Sequence, residues 1–173
     1  MRGGRLKLMD IKFEKIIDKA QIEKLADLAK EIWREYYPEI IGMEQVNYMI
    51  QEFQSAEAIA EQITDEGYQY FMLICDGEAL GYLGLKEDKE KLFLSKLYLK
   101  QDCRGKGYFN IMLSFIEHFA RKRNLRSLYL TVNKENGDAI AVYGKKGFVI
   151  AKEQTTDIGR GFKMDDYVME KCI

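Results

Sequence analysis

Residues 92–119 read LFLSKLYLKQDCRGKGYFNIMLSFIEHF. They divide into a buried strand, a short loop rich in backbone donors, and a long amphipathic helix. The helix buries Phe109, Met112, Leu113, Ile116 and Phe119 or Ala120, at helical spacing. Arg104-Gly105-Lys106-Gly107 falls where that helix begins. A helix start carries unpaired N–H groups and about half a positive charge. The two glycines let the backbone come close to a ligand, and Arg104 and Lys106 add charge. Together these features read as a site for a phosphorylated ligand.

Working outward, residues 7–17 fit a first strand, and Asp18 is an N-cap for a helix from Lys19 to Tyr36 that Pro38 stops. A second helix runs from Met43 to Phe53, and Ser55 caps a short third helix to Thr64. The rings of Trp33, Tyr36, Tyr37 and Tyr48 either pack the core or line a substrate pocket. Strands follow over residues 68–75 and 79–85, joined by an Asp76-Gly77 turn, and then over residues 91–100. Gly81 and Gly84 weaken the middle strand or let another group approach closely. Beyond the long helix come a strand at 128–132, a short helix at 139–146, and strands at 147–155 and 164–173. Strand–helix–strand steps predict parallel pairing in the middle, and hairpins predict antiparallel edges. The expected fold is α/β, a mixed sheet of about seven strands with helices on both faces.

The 173 residues, 47% of them hydrophobic, suit one globular domain spanning residues 1–173. A net charge of −1 argues against a general nucleic-acid binder. Three cysteines, few and widely spaced, give neither a disulfide framework nor a metal-ligand pattern, so a reducing cytoplasm is the expected compartment. No apolar run approaches the roughly 18 residues needed to span a membrane. The basic N-terminus lacks an apolar signal core. Met9 is an alternative start, in which case residues 1–8 are a tag or an upstream extension.

The loop matches neither common phosphate motif. A Walker loop requires GxxxxGK and then Ser or Thr, and a dinucleotide fingerprint requires a third glycine where Asn110 stands. What remains is a diphosphate cradle placed mid-chain, after a meander of strands.

That arrangement resembles the GNAT acetyltransferase superfamily. The family's signature of Arg or Gln, two residues, Gly, one residue, then Gly or Ala is matched by Arg104 through Gly107, with Phe109 replacing the last small residue. Phe109 is therefore expected to turn toward the core. A second block, Leu130 to Phe148, is similar to the family's LxVxxxNxxAxxxYxxxGF segment, carrying Asn136, Ala139, Tyr143, Gly147 and Phe148. The resemblance covers roughly residues 68–150 well.

The resemblance implies a GNAT fold and acetyl-coenzyme A as cosubstrate, with no metal. It places pantetheine along the backbone of Leu97, Tyr98 and Leu99, like an added strand. The pyrophosphate would take the amides of Arg104, Gly105, Lys106, Gly107 and Tyr108. Asn136 would hold the cofactor, or cap the following helix, or do both. Tyr143 is the expected catalytic residue. An acetyl group passes to a primary amine by direct attack through a tetrahedral intermediate, and the leaving group is a thiolate. With thiols near about 8.5 and tyrosine near about 10, a placed phenol can donate to that sulfur. The acceptor is expected to be a small molecule, polyamines favoured. The alternatives are a protein N-terminus or lysine, or CoA binding without catalysis. The expected protein is a monomer or homodimer that needs neither nucleic acid nor membrane.

The general base is less readable. Relatives place a glutamate on the strand before the loop, where this chain has Ser95 and Lys96. Ser95 can orient a water. Lys96 is expected to reach solvent or pair with an acid. Asp165 and Asp166 are candidates for attracting an amine, against the reading of a solvated strand end. Cys103 has no histidine partner, and His118 falls on the polar side of its helix. The glycines of residues 157–163 suggest a mobile or sharply turned loop near the acceptor.

Overall fold

The computed structural model describes residues 9–173; Lys7 and Leu8 of the first expected strand, and the expectation for residues 1–8, lie outside the described residues. The order is β1 (Ile11–Lys15), α1 (Lys19–Tyr36), α2 (Pro38–Ile41), α3 (Met43–Phe53), α4 (Ala56–Thr64), β2 (Tyr68–Cys75), β3 (Glu78–Asp88), β4 (Lys91–Leu99), α5 (Tyr108–Lys122), β5 (Ser127–Asn133), α6 (Gly137–Lys145), β6 (Val149–Gly159) and β7 (Phe162–Cys172). The strands form one mixed sheet ordered β1-β2-β3-β4-β5-β7-β6, with β4 and β5 parallel and the other neighbours antiparallel.

Local chemistry accounts for the helix ends. The Asp18 carboxylate accepts from the Gln21 amide at 2.9 Å, and the Gln21 side chain accepts from the Asp18 amide at 3.1 Å, a reciprocal capping box. Ser55 Oγ accepts from the Ala58 amide at 3.2 Å. Pro38, expected to end α1, also opens α2, because its missing N–H is harmless at a first helical position.

Helices cover both faces of the sheet. α5 lays Met112, Leu113, Ile116 and Phe119 against Leu92, Leu94, Leu128 and Leu130. On the opposite face, Leu25, Leu28 and Ile32 of α1 and Ile59 of α4 meet Tyr70, Met72 and Tyr82. A smaller cluster joins Trp33 to Val46, Met49 and Ile50 of α3. Truncating a fully buried member such as Ile116 to alanine costs about 2–5 kcal/mol.

The sheet is split beside β4. β4 and β5 pair only at Lys91, Leu92 and Phe93 with Ser127, Leu128 and Tyr129, and then part. The last pair carries stacked rings, Phe93 on Tyr129 with centroids 4.9 Å apart. Just past that point the β3–β4 register slips from Leu85↔Leu94 to Gly84↔Lys96, leaving Ser95 as the extra residue of a bulge. A bulge bends its strand and increases local twist, so β4 turns away from β5 there. Gly84 and Gly81 make this bend possible. A Cβ on Gly81 would lie 2.2 Å from the Tyr98 carbonyl oxygen, and one on Gly84 would lie 2.7 Å from Lys96 Cγ. The close approach expected at these glycines is that of β4 itself.

β6 and β7 are longer than expected. They form one hairpin closed at Arg160-Gly161, both with positive φ, so the glycine-rich segment is a sharp turn within paired strands. Tyr48 holds it against α3, its hydroxyl donating to the Ile158 carbonyl at 2.5 Å.

Candidate active site

The parted strands open a cavity of about 730 Å³. Residues 93–99 line one arm, residues 130–133 the other, and Trp33 and Tyr36 of α1, with Tyr37 just past its end, the roof. Those rings therefore serve both roles expected of them, since Trp33 is also buried in the α1–α3 cluster. Tyr48 belongs to the hairpin contact instead.

On β4 the Leu99 carbonyl faces the opening, where it accepts from Arg104 Nε at 3.2 Å and Nη2 at 3.0 Å. Strand alternation aims the backbone groups of Leu97 the same way, while the Tyr98 carbonyl faces Gly81 of β3. Leu97 and Leu99 thus present the free backbone edge. Tyr98 contributes its ring, which meets Trp33 and Tyr37 with centroids 5.6 and 6.1 Å away. Beneath it, Trp33 Nε1 donates to the Tyr82 hydroxyl and that hydroxyl to Gln54, both at 3.1 Å, so this buried polar chain is satisfied.

The loop after β4 begins with a 3-10 turn, residues 101–103, whose Gln101 carbonyl accepts the Arg104 amide at 3.2 Å. The amides of residues 105–109 take no protein acceptor among the described residues. Gly105 and Gly107 have φ of 71° and 88°, and the space around the Cβ each lacks is open. Left-handed backbone at both positions turns successive N–H groups into one concavity at the start of α5, the form that binds anions. Lys106 is exposed at its rim. The Tyr108 hydroxyl points to Cys75 Sγ, 3.8 Å away.

Asn136 caps α6, accepting from the Ala139 amide at 3.3 Å. Its Oδ1 also receives the Tyr36 hydroxyl at 2.7 Å. The Nδ2 group has no protein partner among the described residues, and Asn136 lines the cavity. Tyr143 of α6 lies deep in the cleft, half-buried and open to the cavity. Burial, and then the Tyr36 phenol, push its hydroxyl above the usual tyrosine range. Phe109 packs against the α5-side core as expected, and it also lines the cavity, edge-on to Tyr143 with centroids 5.9 Å apart. The large residue at the motif's small position therefore supports the tyrosine ring.

Lys96 departs from its expected place. It lines the cavity and donates to Ser95 Oγ at 2.7 Å, with no carboxylate in salt-bridge range among the described residues. Removal from water pulls its ammonium down to about 8, against a smaller opposing effect of Glu66. The two aspartates separate. Asp165 pairs with Lys134 at 2.8 Å, which holds its carboxyl below the usual range, while Asp166 is 2% exposed and lines the cavity. Burial, followed by the Cys103 thiol's bond to Asp102, pushes Cys103 up to about 11, a poor state for a nucleophile. His118 is exposed. The described residues hold no group of three or more His, Cys, Asp or Glu arranged for a metal, and none of the helices is long and apolar enough to cross a membrane.

The family description "Acetyltransferase (GNAT) family" matches residues 25–148. The chain belongs to the GNAT acetyltransferase family. This acetyltransferase is 27% identical over 154 residues to a spermidine N(1)-acetyltransferase of Thermoplasma acidophilum, covering 87% of this chain and 90% of the relative. The PaiA N-acetyltransferase of the same organism, solved in complex with coenzyme A, superposes with a TM-score of 0.78 at 25% identity, covering 95% and 99% of the two chains. The ribosomal-protein-S18-alanine N-acetyltransferase of Escherichia coli shares the fold, with a TM-score of 0.67 at 18% identity over 96% and 94%. The protein is an acetyl-CoA-dependent N-acetyltransferase. Its own residues fit that substrate: at the start of α5 five amides have no protein acceptor among the described residues, and a free strand edge borders the cavity.

Proposed function

We propose that this acetyltransferase moves an acetyl group to a primary amine of a small molecule, polyamines favoured, by direct attack. The observation that carries the reading is the cavity at the split of β4 and β5, walled by α1, α3 and the β6–β7 hairpin. A wall on that side suits a compact amine better than an extended peptide, which needs an open groove. The 27% identity to a spermidine acetyltransferase supports the same choice.

Acetyl-CoA supplies the activated thioester. The amides of residues 105–108 hold its pyrophosphate, with Arg104 shaping the loop through the Leu99 carbonyl. Backbone groups of Leu97 and Leu99 hold the pantetheine arm, with Tyr98 packing beside it. Asn136 Nδ2 adds a side-chain donor, its Oδ1 being fixed by Tyr36 and Ala139. The Tyr143 hydroxyl, kept protonated by burial, donates to the departing sulfur. Lys96 takes the proton that the incoming ammonium must lose. Its lowered pKa of about 8 leaves a usable neutral fraction near neutral pH, and Ser95 orients its amine.

A panel of amines incubated with acetyl-CoA, with free thiol detected, tests this function. Thiol release that depends on a small amine supports it. Release only with peptides, or firm CoA binding with no release, contradicts it.

A further inference from the structure

We infer that Asp166 anchors a second, non-reacting ammonium of the acceptor, so that this enzyme prefers a diamine or longer polyamine to a monoamine of equal length. The inference rests on the acetyltransferase reading above and assigns one residue of that site to acceptor choice.

Asp166 is almost wholly buried, and its Oδ1 has no hydrogen-bond partner among the described residues. Among the described residues, no other in the cavity wall shows that combination. No cation among the described residues is bonded to it, although nearby Lys134 favours its charged form weakly, against burial and the Asp165 carboxylate. Lys134 Nζ bonds Asp165 at 2.8 Å and Glu153 at 2.7 Å, Lys96 bonds Ser95, and Arg104 bonds the Leu99 carbonyl. A buried carboxylate oxygen left without a hydrogen-bond partner destabilises the fold, so the fold alone gives no reason for it.

The placement of Asp166 points to a ligand. It lies opposite Asn133, beyond the point where β5 leaves β4. Alternation along β7 puts its side chain on the face of Met164, which packs against the Trp33 and Met49 cluster. On that face the cavity is lined by Trp33, Tyr37 and Tyr98, rings that attract a cation through their faces. A buried carboxylate in a cavity lined by aromatic rings is the complement of an alkylammonium.

The nitrogen bound there is not the attacking one. A carboxylate favours the charged form of an adjacent amine and so raises its pKa. The nucleophile must instead be neutral, and the residue that can take its proton, Lys96, is on β4 rather than β7. One acceptor that meets both residues needs two nitrogens. No bond is made or broken at Asp166. It holds one ammonium while the other nitrogen reacts.

The experiment compares α,ω-diaminoalkanes with alkylamines of the same chain length, using the full chain and saturating acetyl-CoA. It reads kcat/KM by thiol release and, without acetyl-CoA, affinity by calorimetry. The wild type is expected to favour diamines by about tenfold or more in both readings. Asp166→Asn keeps the shape without the charge. It should collapse the preference by a similar factor, chiefly through the KM for diamine, and raise Tm at pH 7.5 because the buried charge beside Asp165 is gone. Asp166→Glu should retain part of the preference. An Asp166→Asn enzyme that keeps the full preference, or a wild type with none, overturns the inference while leaving amine acetylation intact. No turnover with any amine overturns both.

Discussion

The Tyr36 hydroxyl, in the last turn of α1, donates to Asn136 Oδ1 across 2.7 Å, joining residues 100 positions apart. The Arg104 guanidinium lies 4.5 Å from the centre of the same ring. One tyrosine thus touches the cap of α6 and the loop that opens α5, and its helix roofs the acceptor side. Tyr36→Phe removes one hydrogen bond worth about 1 kcal/mol net. It should raise the KM for acetyl-CoA by about threefold to tenfold, through freer rotation of Asn136. Steady-state kinetics at saturating amine check this.

Tyr143 is the group assigned to the sulfur. Tyr143→Phe keeps the ring packing with Phe109 and Phe148 and removes only the hydroxyl. A drop in kcat of about 100-fold with little change in the KM for acetyl-CoA is expected. Because burial raises its pKa, the phenol stays protonated across the alkaline range, and it should cause no loss of wild-type rate below about pH 10. Full activity in the phenylalanine variant would remove Tyr143 from the reaction.

How much of this was legible in the sequence depended on how local each signal is. The caps at Asp18 and Ser55, the α5 face and the glycine loop follow from neighbours within a few residues, and the structure matches them. The bulge left a trace that is easy to pass over. Leu92 and Leu94 share a face, as do Leu97 and Leu99, yet the two pairs are three residues apart instead of two, so the strand must slip between them. The ends of β6 carried no such trace. Its residues are exposed on nearly every position, so polar and apolar residues do not alternate, and pairing with β7 alone sets its length. The different fates of Asp165 and Asp166 depend on which face each takes in a sheet assembled from distant strands.

Lys96 gives a pH prediction. A lysine whose folded pKa falls to about 8, from about 10.4 unfolded, pays for its charge in the folded state at all pH values below 8. Between the two values the unfolded chain binds more protons, so stability recovers as pH rises and the penalty disappears above about 10.4. Lys96→Met should therefore raise Tm at pH 7 by at least about 2 °C, with a gain that shrinks toward pH 10. The same variant should lose the step near pH 8 in kcat/KM and retain the rise set by the amine's own ionisation. Thermal scans and pH–rate profiles read the two effects separately.

Gly107 tests the cradle. A Cβ there meets open space, so Gly107→Ala adds no clash, but φ of 88° strains an alanine by about 1–2 kcal/mol. The loop relaxes by turning its amides away, and CoA affinity by calorimetry should weaken about tenfold, with a smaller change in Tm.

The most direct test of the central claim is mass spectrometry of small amines after incubation with acetyl-CoA and the full chain. The account predicts an amine heavier by one acetyl group, formed in step with free thiol and nearly lost in Tyr143→Phe. Tight coenzyme A binding with no acetylated amine, across monoamines, diamines and polyamines, would contradict it.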